Sequence, residues 1–158
     1  DGEWGMGIEI YASQNVILEN IISKDNWGDG FYVGNKTLNS LFCAITADNN
    51  RRQGMSITSA DGVTIKESIF KNTNGTAPMD GLDIEPNKGE TVANIQVLNS
   101  LFLNNKGCGI ESTVPTEYAG SAFVKNLIID GNTVENNGEI GSYSAGIKTI
   151  DRGRFNTR

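Results

Sequence analysis

A glycine followed by an apolar, a variable and another apolar residue recurs along the chain. It reads "GIEI" from Gly7, "GFYV" from Gly30, "GMSI" from Gly54 and "GLDI" from Gly81, at nearly even spacing. Weaker copies follow in "GIES" from Gly109 and "GIKT" from Gly146. Alternation of this kind is the mark of a strand with one buried face. It turns Ile8 and Ile10, Phe31 and Val33, Met55 and Ile57, and Leu82 and Ile84 inward. A second segment follows each tetrad and ends in Asp or Asn, as in "NVILENIISKDN" (15–26), "DGVTIKESIFKNTN" (61–74), "NIQVLNSLFLNN" (94–105) and "NLIIDGNTVENN" (126–137). The matching ends are Asp25, Asp48, Asn72, Asn104 and Asn136. The first three glycine-to-Asx stretches, Gly7 to Asp25, Gly30 to Asp48 and Gly54 to Asn72, are identical in length.

A repeat of roughly two dozen residues, built from short alternating strands and Asn-rich corners, predicts an all-β fold, a right-handed parallel β-helix of about six coils. Each coil gives a strand to each of several parallel sheets, and coils stack about 4.8 Å apart. Asn and Asp suit the corners because they tolerate left-handed backbone, and stacked amides satisfy one another between coils. A leucine-rich repeat shares the period, but its regular leucines and helical outer segments are missing from this sequence.

The 158 residues are enough for one domain with a real core. Because the chain opens with Asp1 and a solenoid has open strand edges at both ends, residues 1–158 are expected to form a single β-helix domain cut from a longer chain, or a homo-oligomer. A net charge of −6 argues against a nucleic-acid partner, and no apolar run is long enough for a membrane span. Histidine is absent, which removes the commonest general base and metal ligand. Cys43 and Cys108 lack metal-site spacing and read as two buried thiols.

Insertions show which face to inspect. The glycine-to-Asx stretch lengthens in the fourth repeat, Gly81 to Asn104, and again in the fifth, Gly109 to Asn136. The additions are "PNKGETVA" after Glu85 and "VPTEYAGSA" after Thr113. The Asx-to-glycine link, short from Asp25 to Gly30, roughly doubles from Asn72 to Gly81 and from Asn136 to Gly146, through "TNGTAPMD" and "NGEIGSYSA". These loops flank both ends of one strand column, so they predict the walls of a groove whose floor is that sheet. The outward column two residues past each glycine reads Glu9, Tyr32, Ser56, Asp83, Glu111, Lys148. The column four past reads Tyr11, Gly34, Thr58, Glu85, Thr113. Three before the glycine stand Trp4, Trp27, Arg51, Pro78, Lys106 and Tyr143.

Residues i and i+2 on a strand lie about 6.6 Å apart, and neighbours on adjacent coils about 4.8 Å, so carboxylates on this grid cannot all ionise freely. An inverting glycosidase needs two carboxyl groups about 6.5–9.5 Å apart. Asp83 with Glu85 or Glu111 meets that requirement, which makes them the candidate catalytic acids. Arg51 and Arg52 would orient substrate or tune those acids, and Tyr32 and Lys148 are further proton-transfer candidates. Trp4 and Trp27, which share the "WGxG" context, would stack on sugar rings, with Asp80, Lys148 and Tyr143 as additional substrate-binding candidates. No cofactor is required and no dedicated metal residue is assigned, but Asp80, Asp83, Glu85 and Glu111 leave room for Ca²⁺. A single outward acid or base, such as Glu9 or Lys148, reads first as a solvated face.

The repeat resembles the pectate-lyase-like β-helix superfamily over its whole length. "NNRRQGMSI" followed by "FKNTNGTAPMDGLDIEPN" is similar to β-helix proteins of bacteria and bacteriophage tails. The resemblance implies a polysaccharide partner and an extracellular or virion-associated location, and, by analogy with tailspikes, a trimer. It leaves three activities open: glycoside hydrolysis, elimination or C-5 epimerisation of a uronate polymer, and glycan binding without catalysis. The alginate epimerases of this superfamily carry Asp-Pro-His-Glu, whereas this chain has Asp83-Ile84-Glu85-Pro86 and no histidine.

Overall fold

The computed structural model describes residues 3–139 and 144–151. The first coil consists of β1 (Ile8–Tyr11), β2 (Ile17–Glu19) and β3 (Ile22–Lys24), and the second of β4 (Phe31–Gly34), β5 (Thr37–Cys43) and β6 (Thr46–Asp48). The third is β7 (Met55–Ile57), β8 (Ala60–Lys66) and β9 (Ile69–Lys71), and the fourth β10 (Leu82–Ile84), β11 (Thr91–Leu98) and β12 (Leu101–Leu103). The fifth holds β13 (Ile110–Thr113), β14 (Phe123–Asp130) and β15 (Thr133–Glu135), and β16 (Ile147–Ile150) begins a sixth. Every third strand stacks on its predecessor. The sheets run β1-β4-β7-β10-β13-β16, β2-β5-β8-β11-β14 and β3-β6-β9-β12-β15, with all pairs parallel. This is a parallel β-helix, as the repeat predicts.

The tetrad register holds through all six coils. Glu9 pairs with Tyr32, Tyr32 with Ser56, Ser56 with Asp83, Asp83 with Glu111, and Glu111 with Lys148. Between these outward residues, Phe31, Val33, Met55, Ile57, Leu82, Ile84 and Ile110 are fully buried and meet the inner faces of the other two sheets. Phe70 and Phe102 stack with ring centroids 5.0 Å apart, because their strands are adjacent rungs of one sheet. The tetrad glycine is dictated by crowding: a Cβ at Gly81 would lie 2.6 Å from the Gly109 carbonyl oxygen of the next coil.

The Asx corners form two parallel ladders. The outer one is Asp25, Asn49, Asn72, Asn104 and Asn136, all left-handed with φ between 53° and 59°. The second repeat therefore turns at Asn49, and Asp48, the expected end, is the last residue of β6, paired with Lys24 and Lys71. Two adjacent Asx residues are chemically equivalent in sequence, and only the backbone angle separates them. The inner ladder runs through Asn50 and Asn105, both fully buried, with Asn26 donating to Asn50 at 2.8 Å and Asn105 to Asn137 at 2.9 Å. Both cysteines are free thiols. Cys108 is buried, while Cys43 is half-exposed, in departure from the expected pair of buried thiols.

Candidate functional site

The long connections 72–81, 85–90 and 114–122 adjoin the two edges of the β1-β4-β7-β10-β13-β16 sheet, the last containing a 3₁₀ turn at Thr116–Tyr118. A cavity of about 170 Å³ opens on that sheet. Its floor is Tyr32, Thr58, Asp83 and Glu85; Arg52 and Asn87 close two sides, and Glu3, Trp4 and Met6 form the remaining wall. The groove is thus narrower than the insertions suggest: among the described residues, the inserted segment that lines it is 85–90, through Asn87. A larger groove of about 640 Å³ runs along the Asn corner, lined by the outer ladder and Lys106. Its lining is mostly neutral amides, whereas the smaller cavity gathers carboxyl groups, so the acid-lined cavity is the chemical candidate.

Asp83 faces away from the apolar core yet is only 4% exposed. Its Oδ2 accepts from Gln53 Nε2 at 2.9 Å, while Oδ1 has no hydrogen-bond partner. Burial, and then the charges of Glu85, Asp80 and Glu111, push its carboxyl well above the usual range, against a smaller opposing pull from Arg52. Glu85 is half-buried and is also raised, by burial and then by Glu111. Asp80, 1% exposed, is pushed up to about 7 by burial and then by Glu111. The Glu111 carboxyl lies within 4.8 Å of the Asp80 carboxyl, whose Oδ2 meets no donor.

The cations on this face are committed. Arg52 pairs with the fully buried Asp29 at 3.3 Å, and Lys148 with Glu111 at 2.7 Å. Burial alone would lower the Lys148 ammonium, but the Glu111 hydrogen bond and charge outweigh it and raise it. Tyr32 shares a 2.9 Å hydrogen bond with Thr58. Arg51 lies outside the cavity: its guanidinium sits 4.0 Å above the Trp27 ring and its Nε donates to Thr76 at 3.0 Å. Trp4, 77% exposed, is at the cavity wall, whereas Trp27 stands with Arg51 at the corner. Tyr143 lies outside the described residues.

Among the described residues an oxygen cage for Ca²⁺ is not assembled. The donors that converge are Asp80, Glu111 and the Cys108 sulfur, and burial pushes that thiol up to about 12. Lys148 already occupies Glu111, and Gln53 one oxygen of Asp83. A protonated thiol and a resident ammonium do not suit a hard divalent cation.

One column escapes the outward-face reading: the residue directly before each glycine, namely Met6, Asp29, Gln53, Asp80, Cys108 and Ala145. Four of these side chains accept the backbone N–H of their counterpart one coil on. Met6 Sδ takes Asp29 N–H, Gln53 Oε1 takes Asp80 N–H at 2.7 Å, Asp80 Oδ1 takes Cys108 N–H, and Cys108 Sγ takes Ala145 N–H. The signal is present in the sequence, since every member but Ala145 carries a hydrogen-bond acceptor. This column brings Asp29 and Gln53 to the site. Burial raises Asp29, in opposition to Ser56 and Arg52, which hydrogen-bond its carboxylate.

A family model described as "Right handed beta helix region" matches residues 3–114. The chain belongs to this right-handed β-helix family. Over 166 aligned positions it is 30% identical to the uncharacterized protein YclG of Bacillus subtilis (strain 168), with 97% of this chain aligned. This β-helix spans 27% of YclG. Among solved structures it is similar to a double mutant of the periplasmic alginate epimerase AlgG, with a TM-score of 0.65 at 11% identity. That match covers 92% of this chain and 36% of AlgG, and carries the fold alone. Among the described residues no helix is long and apolar enough to cross a membrane.

Proposed function

We propose that this β-helix binds a glycan across the acidic sheet face and hydrolyses it, with Asp83 as proton donor and Glu85 as the base for water. The observation that carries this reading is the unequal pair itself. Asp83 is buried with one oxygen unpartnered, and Glu85 stands two residues on at the cavity rim. Neighbouring carboxyl groups in unlike environments divide into an acid and a base. Asp83 passes its proton to the glycosidic oxygen as the bond to the anomeric carbon breaks. Glu85 takes a proton from the water that attacks that carbon, so one water is consumed and two hydroxyl groups form. The proton returns to Asp83 through solvent. Backbone spacing of about 6.6 Å fits inversion.

The charge pattern favours a neutral or amino sugar over a uronate. Glu3, Asp83 and Glu85 line the cavity, and the cation among its lining residues, Arg52, is already bonded to Asp29. Elimination or epimerisation needs a neutralised uronate carboxylate, and the epimerase-like fold by itself does not supply that. A second reading, glycan binding without turnover, draws on the exposed rings of Trp4 and Trp27, at 77% and 58%. In either case a polymeric glycan is met outside the cell or on a virion surface.

The test is incubation with panels of neutral, amino and uronic polysaccharides. New reducing ends without unsaturated-uronate absorbance are expected, and are lost in both Asp83→Asn and Glu85→Gln. Reducing ends that persist in both variants remove the pair from catalysis. A bound but unaltered glycan selects the binding reading.

A further inference from the structure

We propose that Gln53 is a positioning residue that fixes the proton of Asp83 on Oδ1, leaving Oδ2 as the oxygen that only accepts. The proposal deepens the hydrolase reading and rests on it for its catalytic consequence, but its structural content stands on the hydrogen-bond pattern.

Gln53 is fully buried, and its two amide ends are told apart by their partners. Oε1 accepts the Asp80 backbone N–H at 2.7 Å, so the other end must be the donor, and it meets Asp83 Oδ2 at 2.9 Å. The amide N–H favours the oxygen that carries no proton, since the carbonyl oxygen of a neutral carboxyl is a better acceptor than its hydroxyl oxygen. Oδ1 is buried without a partner, and leaving charge on it there costs far more than a proton does.

The groups facing Asp83 point the same way from every side. Asp80 precedes it on the same coil, Glu85 follows it, Glu111 stands beside it on β13, and Ser56 beside it on β7. Arg52 opposes them, and Asp29 holds it; Lys148, one coil beyond Glu111, is held by Glu111. Tyr32 is turned to Thr58.

The identity of residue 53 matters within its column. Asp80 serves the next coil's N–H with a carboxyl oxygen, and Met6 serves it as a thioether. An Asp at 53 would put another negative charge against Asp83. A primary amide accepts from the backbone and donates to Asp83 at once. A catalytic acid whose proton sits on the oxygen without a hydrogen-bond partner has no scaffold acceptor competing for that proton, beside the cavity that Asp83 lines.

Infrared difference spectroscopy of the whole chain reads the proton directly. At pH 7 a neutral-carboxyl C=O band is expected that disappears in Asp83→Asn. Gln53→Met is the informative second variant, since Met6 shows that a thioether in this column accepts the next coil's N–H while donating nothing. In that variant the fold should persist, the Asp83 band should shift, and kcat should fall about a hundredfold with KM little changed, the scale of general-acid catalysis. A wild-type spectrum with no Asp83 band at pH 7 overturns the proposal. So does a band that Gln53→Met, still folded, leaves where it was. A band that behaves as expected in a protein that cleaves no glycan supports the assignment of Gln53 and defeats the hydrolase reading.

Discussion

Two clusters of like side chains sit on this solenoid, with opposite results. At the corner, Asn26 and Asn50, and beyond Thr73 of the third coil Asn105 and Asn137, repeat a group that both donates and accepts, and contacts such as Asn105 to Asn137 at 2.9 Å join neighbouring coils. On the open sheet, Asp80, Asp83 and Glu85 of one coil and Glu111 of the next crowd together a group that, when ionised, only accepts. Stacking there leaves Asp80 Oδ2 and Asp83 Oδ1 without donors and drives protons onto the cluster. A β-helix puts identical positions in contact at every turn, so it amplifies the chemistry of whatever occupies them. Amides make a scaffold and carboxyls make a strained, proton-holding surface. That contrast is the strongest reason to place function on the sheet rather than the corner.

The largest expected effect tests the carboxyl stack. Asp83→Asn should lower glycan turnover about 10²- to 10⁴-fold, the range of a lost general acid. At pH 7 its urea midpoint should equal or exceed that of the native protein, because a buried, under-satisfied acid is gone. A large drop in midpoint would show that Asp83 holds the fold together, as the amides do.

The reverse is expected at the corner. Asn105 is fully buried, accepts from Thr73 at 2.8 Å, and donates to Asn137 and to the Phe70 carbonyl. Asn105→Ala strands several buried partners and should cost about 3 kcal/mol in urea unfolding. A loss under about 1 kcal/mol would deny the ladder its structural role.

Acidity sharpens the comparison further. Asp29, Asp80, Asp83 and Glu85 all have folded pKa values raised above their unfolded ones, Asp80 to about 7 from 3.8. The native state therefore binds more protons than the unfolded chain between about pH 4 and 7, so stability falls as pH rises through that window. Melting temperature measured across it should decline, by the equivalent of a few kcal/mol. In Asp80→Asn the decline should be shallower. A melting temperature that climbs from pH 4 to 7 would contradict the shifts.

The smallest effect belongs to the outer ladder. Asn49 is exposed, left-handed at φ 53°, and donates to Asp25 at 2.8 Å. Asn49→Ala should cost only about 1 kcal/mol, mostly backbone strain, with activity unchanged.

The amino-acid pattern alone determined the coil, the register of the tetrad sheet and the outward stacking of Asp83 on Glu111. Those follow from period-two alternation and a glycine with no room for a side chain, both local properties. It also located the insertions beside the right strand column. Tertiary structure alone decided the turn at Asn49 in place of Asp48, since neighbouring Asx residues differ there only in backbone angle. It likewise separated Arg51, stacked on Trp27, from Arg52, bonded to Asp29 beside the cavity, because consecutive residues at a corner point to different faces. The wall made by Glu3, Trp4 and Met6, and the approach of Gln53 to Asp83 one coil on, are contacts between separate turns of the chain. Their partners are set by how coils lean on one another, a geometry that no single strand encodes.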